Sequence, residues 1–332
     1  MEINNKGVFF TFIALFVIIL VVAVVTTKDT YRYRERSSAI YSRVKTMNNF
    51  IQDFDEDLER ELFIGGYRAL ISMNAYVRQI QGYVTDLDET FTEILVNGTA
   101  DNGNITMSLM RQETQGADIN SWVARVNEEA DELNIITSVK VHEVSIQHIT
   151  PWTVEVRLNA TINISDVKGL ASWVFDKEYK QEFSIIGFED PLYTVETSDK
   201  VTNLVNITPN MTFIGPNNDT TILEGHLLNS YYINHTDAPS FLMRFTGNLS
   251  SSPFGIESMV NVEELFEQGL LKKNRSVIDY LYFGEQTTTG IGKDYCDFTD
   301  LDTDVRELFR IERVPNDHLI LYGVNDLSKS PC

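Results

Sequence analysis

The chain has 332 residues, 48 acidic against 27 basic, giving a net charge of -21 and a pI near 4.6. That balance argues against a nucleic-acid partner, because phosphate binding needs clustered Lys and Arg. Apolar residues make up 43% of the chain, enough to fold most of it, while two cysteines are too few for a disulfide-dense scaffold or a thiolate zinc cluster.

The N-terminus carries the strongest single signal in the chain. Val8 to Val25 has no charge, and Thr11 is its one polar member. As a helix this run spans roughly 27 Å, close to the hydrocarbon thickness of a bilayer. Three fates fit it: a retained membrane anchor, a cleaved secretory signal, or a cut at its front edge. VVAVVTTKD lacks the small residues of a signal-peptidase site, and no Cys follows that could carry a lipid anchor. The short polar leader ending Lys6-Gly7, succeeded at once by the apolar helix from Val8, resembles the leader of archaeal type IV pilins and pilin-like proteins. That resemblance implies cleavage between Gly7 and Val8, with the helix kept as filament core or membrane anchor and associating with other copies of itself. Phe12 stands where bacterial pilins carry Glu, which favours the archaeal branch.

The pattern stays helical beyond the run. Ile40, Val44, Met47, Ile51, Phe54 and Leu58 recur at heptad-like spacing, and DFDEDLERE (53–61) supplies a solvated face. Gly65-Gly66 is expected to break or bend the helix. Tyr67 to Val96 then reads as a second helix with Leu70, Met73, Val77, Ile80, Val84, Leu87, Phe91 and Ile94 on one stripe, closing a helical hairpin. A third helix is expected over 119–133.

Strands come next, over 136–149, 152–165 and 173–187. In WTVEVRLNATINIS (152–165) the apolar residues Trp152, Val154, Val156, Leu158, Ala160, Ile162 and Ile164 alternate with polar ones, the period of a half-buried strand. Residues 194–250 read as short strands and long loops, 261–269 as a short helix, and SVIDYLYFG (276–284) and HLILYG (318–323) as buried strands. The fold class expected is α+β: an N-terminal transmembrane helix continuing into a long helix and hairpin, then antiparallel β-rich extracellular modules. The corresponding divisions are a leader (1–7), a transmembrane or filament-core helix (8–27), a helical stalk (28–96), an α+β module (97–192) and a β-rich C-terminal module (193–332).

Topology is contested by charge. Lys28, Arg32, Arg34, Arg36, Arg43 and Lys45 lie after the apolar run, which by the positive-inside rule would keep the bulk of the chain in the cytoplasm. The N-x-S/T sequons at Asn97, Asn104, Asn159, Asn163, Asn206, Asn210, Asn218, Asn234, Asn248 and Asn274 weigh more, since they mark surface loops and strand faces of an exported, glycosylated protein. Asn159 and Asn163 fall on the solvent face of the alternating strand, about 13 Å apart. Cys296 and Cys332 fit the same oxidising compartment, where a bond between them would tie down the C-terminus. Type IV pilins often carry a disulfide near the C-terminus, a further loose resemblance. The phrases FEDPLY (188–193) and PSFLMRFTGN…GIESMV (239–260) resemble archaeal surface proteins with this kind of leader, a family that brings no activity with it.

Motifs for chemistry are sparse. Asp300, Asp302 and Asp304 alternate like the start of an EF-hand loop, making them candidate Ca²⁺ ligands. Val305 and Ile311, however, replace the Gly and Glu that loop requires, and a helix N-terminus capped by Asp304 explains the acids more simply. GIGKDY (290–295) lacks the spacing of a phosphate loop, and HEVSI (142–146) lacks a second His. His142 and His148, about 20 Å apart along one strand, cannot share a metal. No G-x-S-x-G occurs. The expectation is therefore a non-enzymatic structural or adhesive surface glycoprotein, with no cofactor beyond the possible Ca²⁺. A membrane-anchored ectodomain that binds a sugar or partner cell is the alternative, and an extracellular hydrolase the third reading.

Overall fold

A computed structural model describes residues 5–111, 116–273, 275–284, 295–296, 298, 309–312 and 317–327. It is α+β, combining helices with an antiparallel sheet. One helix, α1, runs unbroken from Asn5–Ile80, 76 residues, or about 114 Å at 1.5 Å per residue. After it come α2 (Leu87–Asn97), a small hairpin of β1 (Thr99–Ala100) and β2 (Ile105–Thr106), and α3 (Ile119–Glu132). Strands β3 (Ile135–Thr150), β4 (Thr153–Asp166) and β5 (Ser172–Ser184) form a sheet in the order β3-β4-β5. The connections 151–152 and 167–171 are far too short for a parallel crossover, so the meander is antiparallel.

Two compact units divide the chain, each assembled from separated segments. The first comprises Met1–Asp57, Val126–Ser138 and Ile162–Phe175. Within it Met47 and Phe54 of α1 are buried, as are Ile135, Ile162 and Ile164 of the strands. Arg43 locks this unit: its Nε donates to Asp166 Oδ1 at 2.6 Å and its NH2 to the Asn134 carbonyl at 2.7 Å. Asp166 Oδ2 in turn accepts from the Lys168 and Leu170 amides and so shapes the turn that leads into β5.

The second unit comprises Leu58–Arg125, Val139–Thr161 and Asp176–Cys332. Leu58, Leu62, Leu70, Met73 and Val77 of α1 are buried here. Along β4 the expected alternation holds, with Val154, Val156, Leu158 and Ala160 buried. Glu155 is buried as well, and Arg157 and Gln147 satisfy it. The remainder of the unit is α4 (Pro191–Glu196), α5 (Thr221–Leu228), β6 (Tyr232–Asn234), α6 (Phe241–Arg244), β7 (Ile256–Ser258), α7 (Val262–Glu267), α8 (Asp279–Phe283), β8 (Tyr295–Cys296), β9 (Ile311–Glu312) and α9 (Asp317–Leu321). β6 pairs with β7 and β8 with β9, each antiparallel.

The structure corrects the sequence reading in three places. The helix does not break at Gly65-Gly66. These glycines serve close packing: a Cβ at Gly65 would stand 2.8 Å from the Ala117 carbonyl oxygen, and one at Gly66 would meet Phe183 and Val156 at 3.3 Å. The helix ends instead at Ile80, where Gln81 adopts φ 49, and the chain restarts at Asp86, whose carboxylate caps α2 by accepting from the Glu89 amide. The C-terminal module is not β-rich among the described residues, since its strands are two or three residues long and short helices outnumber them. Finally, the runs read as buried strands at 276–284 and 318–323 carry α8 and α9. Each is five residues long, and a run that small has no periodicity to separate strand from helix.

Glycine at 65 should therefore resist replacement. Gly65→Ala is expected to lower stability by about 1–3 kcal/mol through overpacking despite Ala's better helix propensity. Gly225→Ala in α5, where an added Cβ meets nothing within 4 Å, should raise it by about 0.5–1 kcal/mol. Urea unfolding of the two variants checks both signs.

Candidate functional site

The second unit holds two buried polar clusters on opposite faces of one short strand. Successive side chains of β7 point to opposite sides, so Ile256 and Ser258 look one way and Glu257 the other. All three residues are completely buried.

The Ser258 side is organised by Arg244, at the end of α6 and itself fully buried. Its NH1 donates to Asp190 Oδ2 at 2.6 Å and to Asp279 Oδ2 at 2.8 Å, and its NH2 donates to the Ile256 carbonyl. Asp190 caps α4 through the Leu192 amide and accepts from the Tyr232 hydroxyl at 2.7 Å. Asp279 accepts from the Ser258 amide and hydroxyl at 3.0 and 2.9 Å. Burial alone would lower the Arg244 pKa, but Asp190 and Asp279 outweigh it and raise it. Burial pushes Asp279 up against the pull of the guanidinium.

The Glu257 side gathers histidines. Glu257 Oε2 stands 2.8 Å from His235 Nδ1 and 3.1 Å from His318 Nε2, while its Oε1 accepts from the Tyr322 hydroxyl at 2.9 Å. His318 Nδ1 is hydrogen-bonded to Glu312, and the Tyr280 hydroxyl lies 3.3 Å from His318 Nε2. On the outer side, His235 Nε2 lies 3.9 Å from Asp237, whose side chain is 59% exposed. Burial opposes the charge on Glu257, yet the two imidazoles hold its pKa at about 2. Burial likewise opposes a proton on His318, but Glu257 and Glu312 lift it to about 10. His235 is raised, chiefly by its bond to Glu257. Two imidazoles and one carboxylate face a common point with their donor atoms within 4.8 Å of one another. A neighbouring histidine differs: His226 is buried among Phe213, Tyr231 and Tyr322, and neither ring nitrogen has a hydrogen-bond partner.

A third feature is an open acidic cleft of about 900 Å³ lined by Asp86, Asp88, Glu89, Glu93, Glu143 and Arg111, among others, with no Phe, Tyr or Trp ring in its wall among the described residues. Several of its carboxylates already have structural work. Asp86 caps α2, Asp88 accepts from the Ile146 amide, and Glu93 accepts from Thr99 and from the Asn102 and Gly103 amides.

The chain matches no protein-family model, and no similar curated protein or solved structure was found.

The residues singled out from sequence fall elsewhere. Asn97, Asn104, Asn163, Asn206, Asn210, Asn218, Asn234 and Asn248 are solvent-exposed and Asn159 is half-buried. Asn274 lies outside the described residues, as do Asp300, Asp302, Asp304, Cys332 and the side chain of Cys296. Lys6, Gly7 and Val8 fall within α1, their side chains outside the described set. The sequence reading assigned no role to His235, Glu257, His318 or Arg244. The histidines lie 22 and 61 residues from Glu257, so no local motif reports them. The one available signal was the pair of phrases at 188–193 and 239–260, which supply Asp190, Arg244, Glu257 and Ser258.

Two variants test these clusters. Arg244→Met leaves Asp190 and Asp279 buried side by side without their shared cation, and is expected to cost about 3–5 kcal/mol in denaturant unfolding. Burial depresses the His226 pKa from 6.5 to about 4. The unfolded chain then takes up a proton near pH 6.5 that the folded chain refuses until about 4, so stability falls as pH drops through that window, by about 3 kcal/mol in all. His226→Phe should flatten that part of the pH profile relative to the unaltered protein.

Proposed function

We propose that this protein is a structural or adhesive cell-surface glycoprotein of pilin-like build, held at a membrane or in a filament core by the first part of α1, with the bulk of the chain outside. The carrying observation is α1 itself. Phe9–Thr27 is long and apolar enough to cross a membrane, with a mean hydropathy of 3.1 and nothing in it buried. Phe10 and Phe12 are each 69% exposed. An apolar surface that large needs lipid or other copies of the helix to cover it. The same helix continues without interruption into segments whose Leu58, Leu70 and Met73 are buried in a folded unit. An N-terminal helix, half greasy and bare and half built into an α+β body, supports the pilin-like reading that Lys6-Gly7 first suggested. The exposed sequon asparagines support an outward-facing, glycosylated body.

A ligand-binding ectodomain is the second reading, and the acidic cleft favours it. The lack of a Phe, Tyr or Trp ring in that wall, and the structural duties of Asp86 and Glu93, make the cleft a weaker support than α1. No residue is assigned a catalytic role.

Peptide mass spectrometry of protein from native envelopes is expected to find a mature chain starting at Val8, and envelope preparations to contain it in filaments. A chain that keeps Met1 and occurs only as a dispersed membrane monomer would move the reading to a tethered ectodomain. Val17→Asp places a charge mid-span at a cost of about 3 kcal/mol, and should lower the share of the protein recovered in the membrane fraction without abolishing it.

A further inference from the structure

We propose that His235, Glu257 and His318 form a binding site for one divalent transition-metal ion, Zn²⁺ in the first instance, with a water molecule completing the coordination. The geometry of these residues alone carries the site, which goes beyond the surface role proposed above.

The donor set is right for such an ion. Two imidazoles and one carboxylate suit Zn²⁺ and its first-row neighbours, whereas Ca²⁺ and Mg²⁺ take oxygen ligands almost throughout. Spacing fits as well. A tetrahedral Zn²⁺ with bonds of about 2.0–2.1 Å holds its ligand atoms about 3.4 Å apart. Here His235 Nδ1 and His318 Nε2 stand 2.8 and 3.1 Å from Glu257 Oε2, and all three donor atoms lie within 4.8 Å of one another, so modest side-chain shifts that open the two contacts and set the imidazoles to the same spacing admit the ion. His235 comes just after β6, where its amide donates to the Gly255 carbonyl at 3.0 Å, and His318 lies in the short α9.

The surroundings are those of a metal site rather than of an accidental ion pair. A ligating histidine generally donates its second ring nitrogen to a carboxylate or carbonyl, which orients the ring. His318 does so with Nδ1 to Glu312, whereas His235 Nε2 lies 3.9 Å from Asp237, beyond direct hydrogen-bond reach. Glu257 spends Oε1 on the Tyr322 hydroxyl, leaving Oε2 as the single oxygen aimed at the shared point. Charge balance agrees. Glu257 and Glu312 bring two negative charges into a region where the Glu257 side chain is 0% and that of His318 4% exposed. A divalent ion bound there offsets both negative charges. Access exists beside His235, whose side chain is 17% exposed and whose neighbour Asp237 is open to solvent. An ion would enter along Asp237, and its water would sit on that edge.

The ligands come from β7, from the residue after β6, and from α9. A bound ion would therefore clip the C-terminal segment to the β6–β7 pair and stabilise the second unit.

The test uses the full chain in detergent, stripped with chelator. Calorimetric titration with ZnCl₂ is expected to give about one ion per chain, and Zn²⁺ but not Mg²⁺ should raise the thermal midpoint. Loading with CoCl₂ should give the intense visible absorption of four-coordinate cobalt. His235→Gln, which changes the most exposed ligand, should keep the circular dichroism and thermal midpoint of the metal-free protein yet bind Zn²⁺ at least about 100-fold more weakly. Glu312→Gln should weaken binding about 10–100-fold by releasing the His318 ring. His142→Ala, a histidine on β3, should change nothing. Zinc binding that survives His235→Gln undiminished, or that His142→Ala abolishes, would overturn the site. If His235→Gln fails to fold, the cobalt spectrum of the unaltered chain decides: intense four-coordinate bands support the site, and weak octahedral ones or none refute it.

Discussion

The second unit depends on one fully enclosed guanidinium. Arg244 is completely enclosed and joins two carboxylates that would otherwise repel each other in a medium of low polarity. Each of those carboxylates then organises its own element. Asp190 starts α4, Asp279 opens α8, and the Ser258 bonds of Asp279 hold β7. A hydrophobic core alone would leave such short elements free to slide. The directional bonds of one guanidinium fix where four chain segments meet, and charge-assisted bonds of this kind are the strong ones.

Because β7 is pinned by its Ser258 face, Glu257 on the other face has no freedom to choose its direction. It is driven into the protein, where His235, His318 and Tyr322 meet it. The two polar clusters are thus one construction: a charge network on one side of a three-residue strand sets the position of a histidine–carboxylate centre on the other. Aromatic rings fill the space around both, with Tyr193 on Phe283, Phe213 on Tyr322 and Phe298 on Phe309. Their tight packing is what denies water to the carboxylates and makes their pairing compulsory.

Helix α1 carries a different division of labour along its length. Its apolar run, Phe9–Thr27, is greasy on every side and bare. Its middle turns begin with Ile40 and Val44 exposed and present buried residues from Met47 onward. Its last turns lie close enough to their neighbours that Gly65 and Gly66 are required. A single helix therefore passes from a bare apolar stretch into a folded body, and the residue types change with the surroundings rather than with secondary structure.

Sequence by itself determined the features that depend on local periodicity and composition. The apolar run, the helix of 119–132, the three long strands with Val154 to Ile164 facing inward, and the exposure of most sequon asparagines all come from spacing along the chain. Only the tertiary structure decided the rest. Gly65-Gly66 reads as a break or bend in one dimension and proves to be a contact in three. Short enclosed segments such as 279–283 carry no period that separates helix from strand. Asp190, Arg244, Glu257 and His318 come together because elements far apart in sequence pack against β7, and no linear pattern encodes a meeting of that kind.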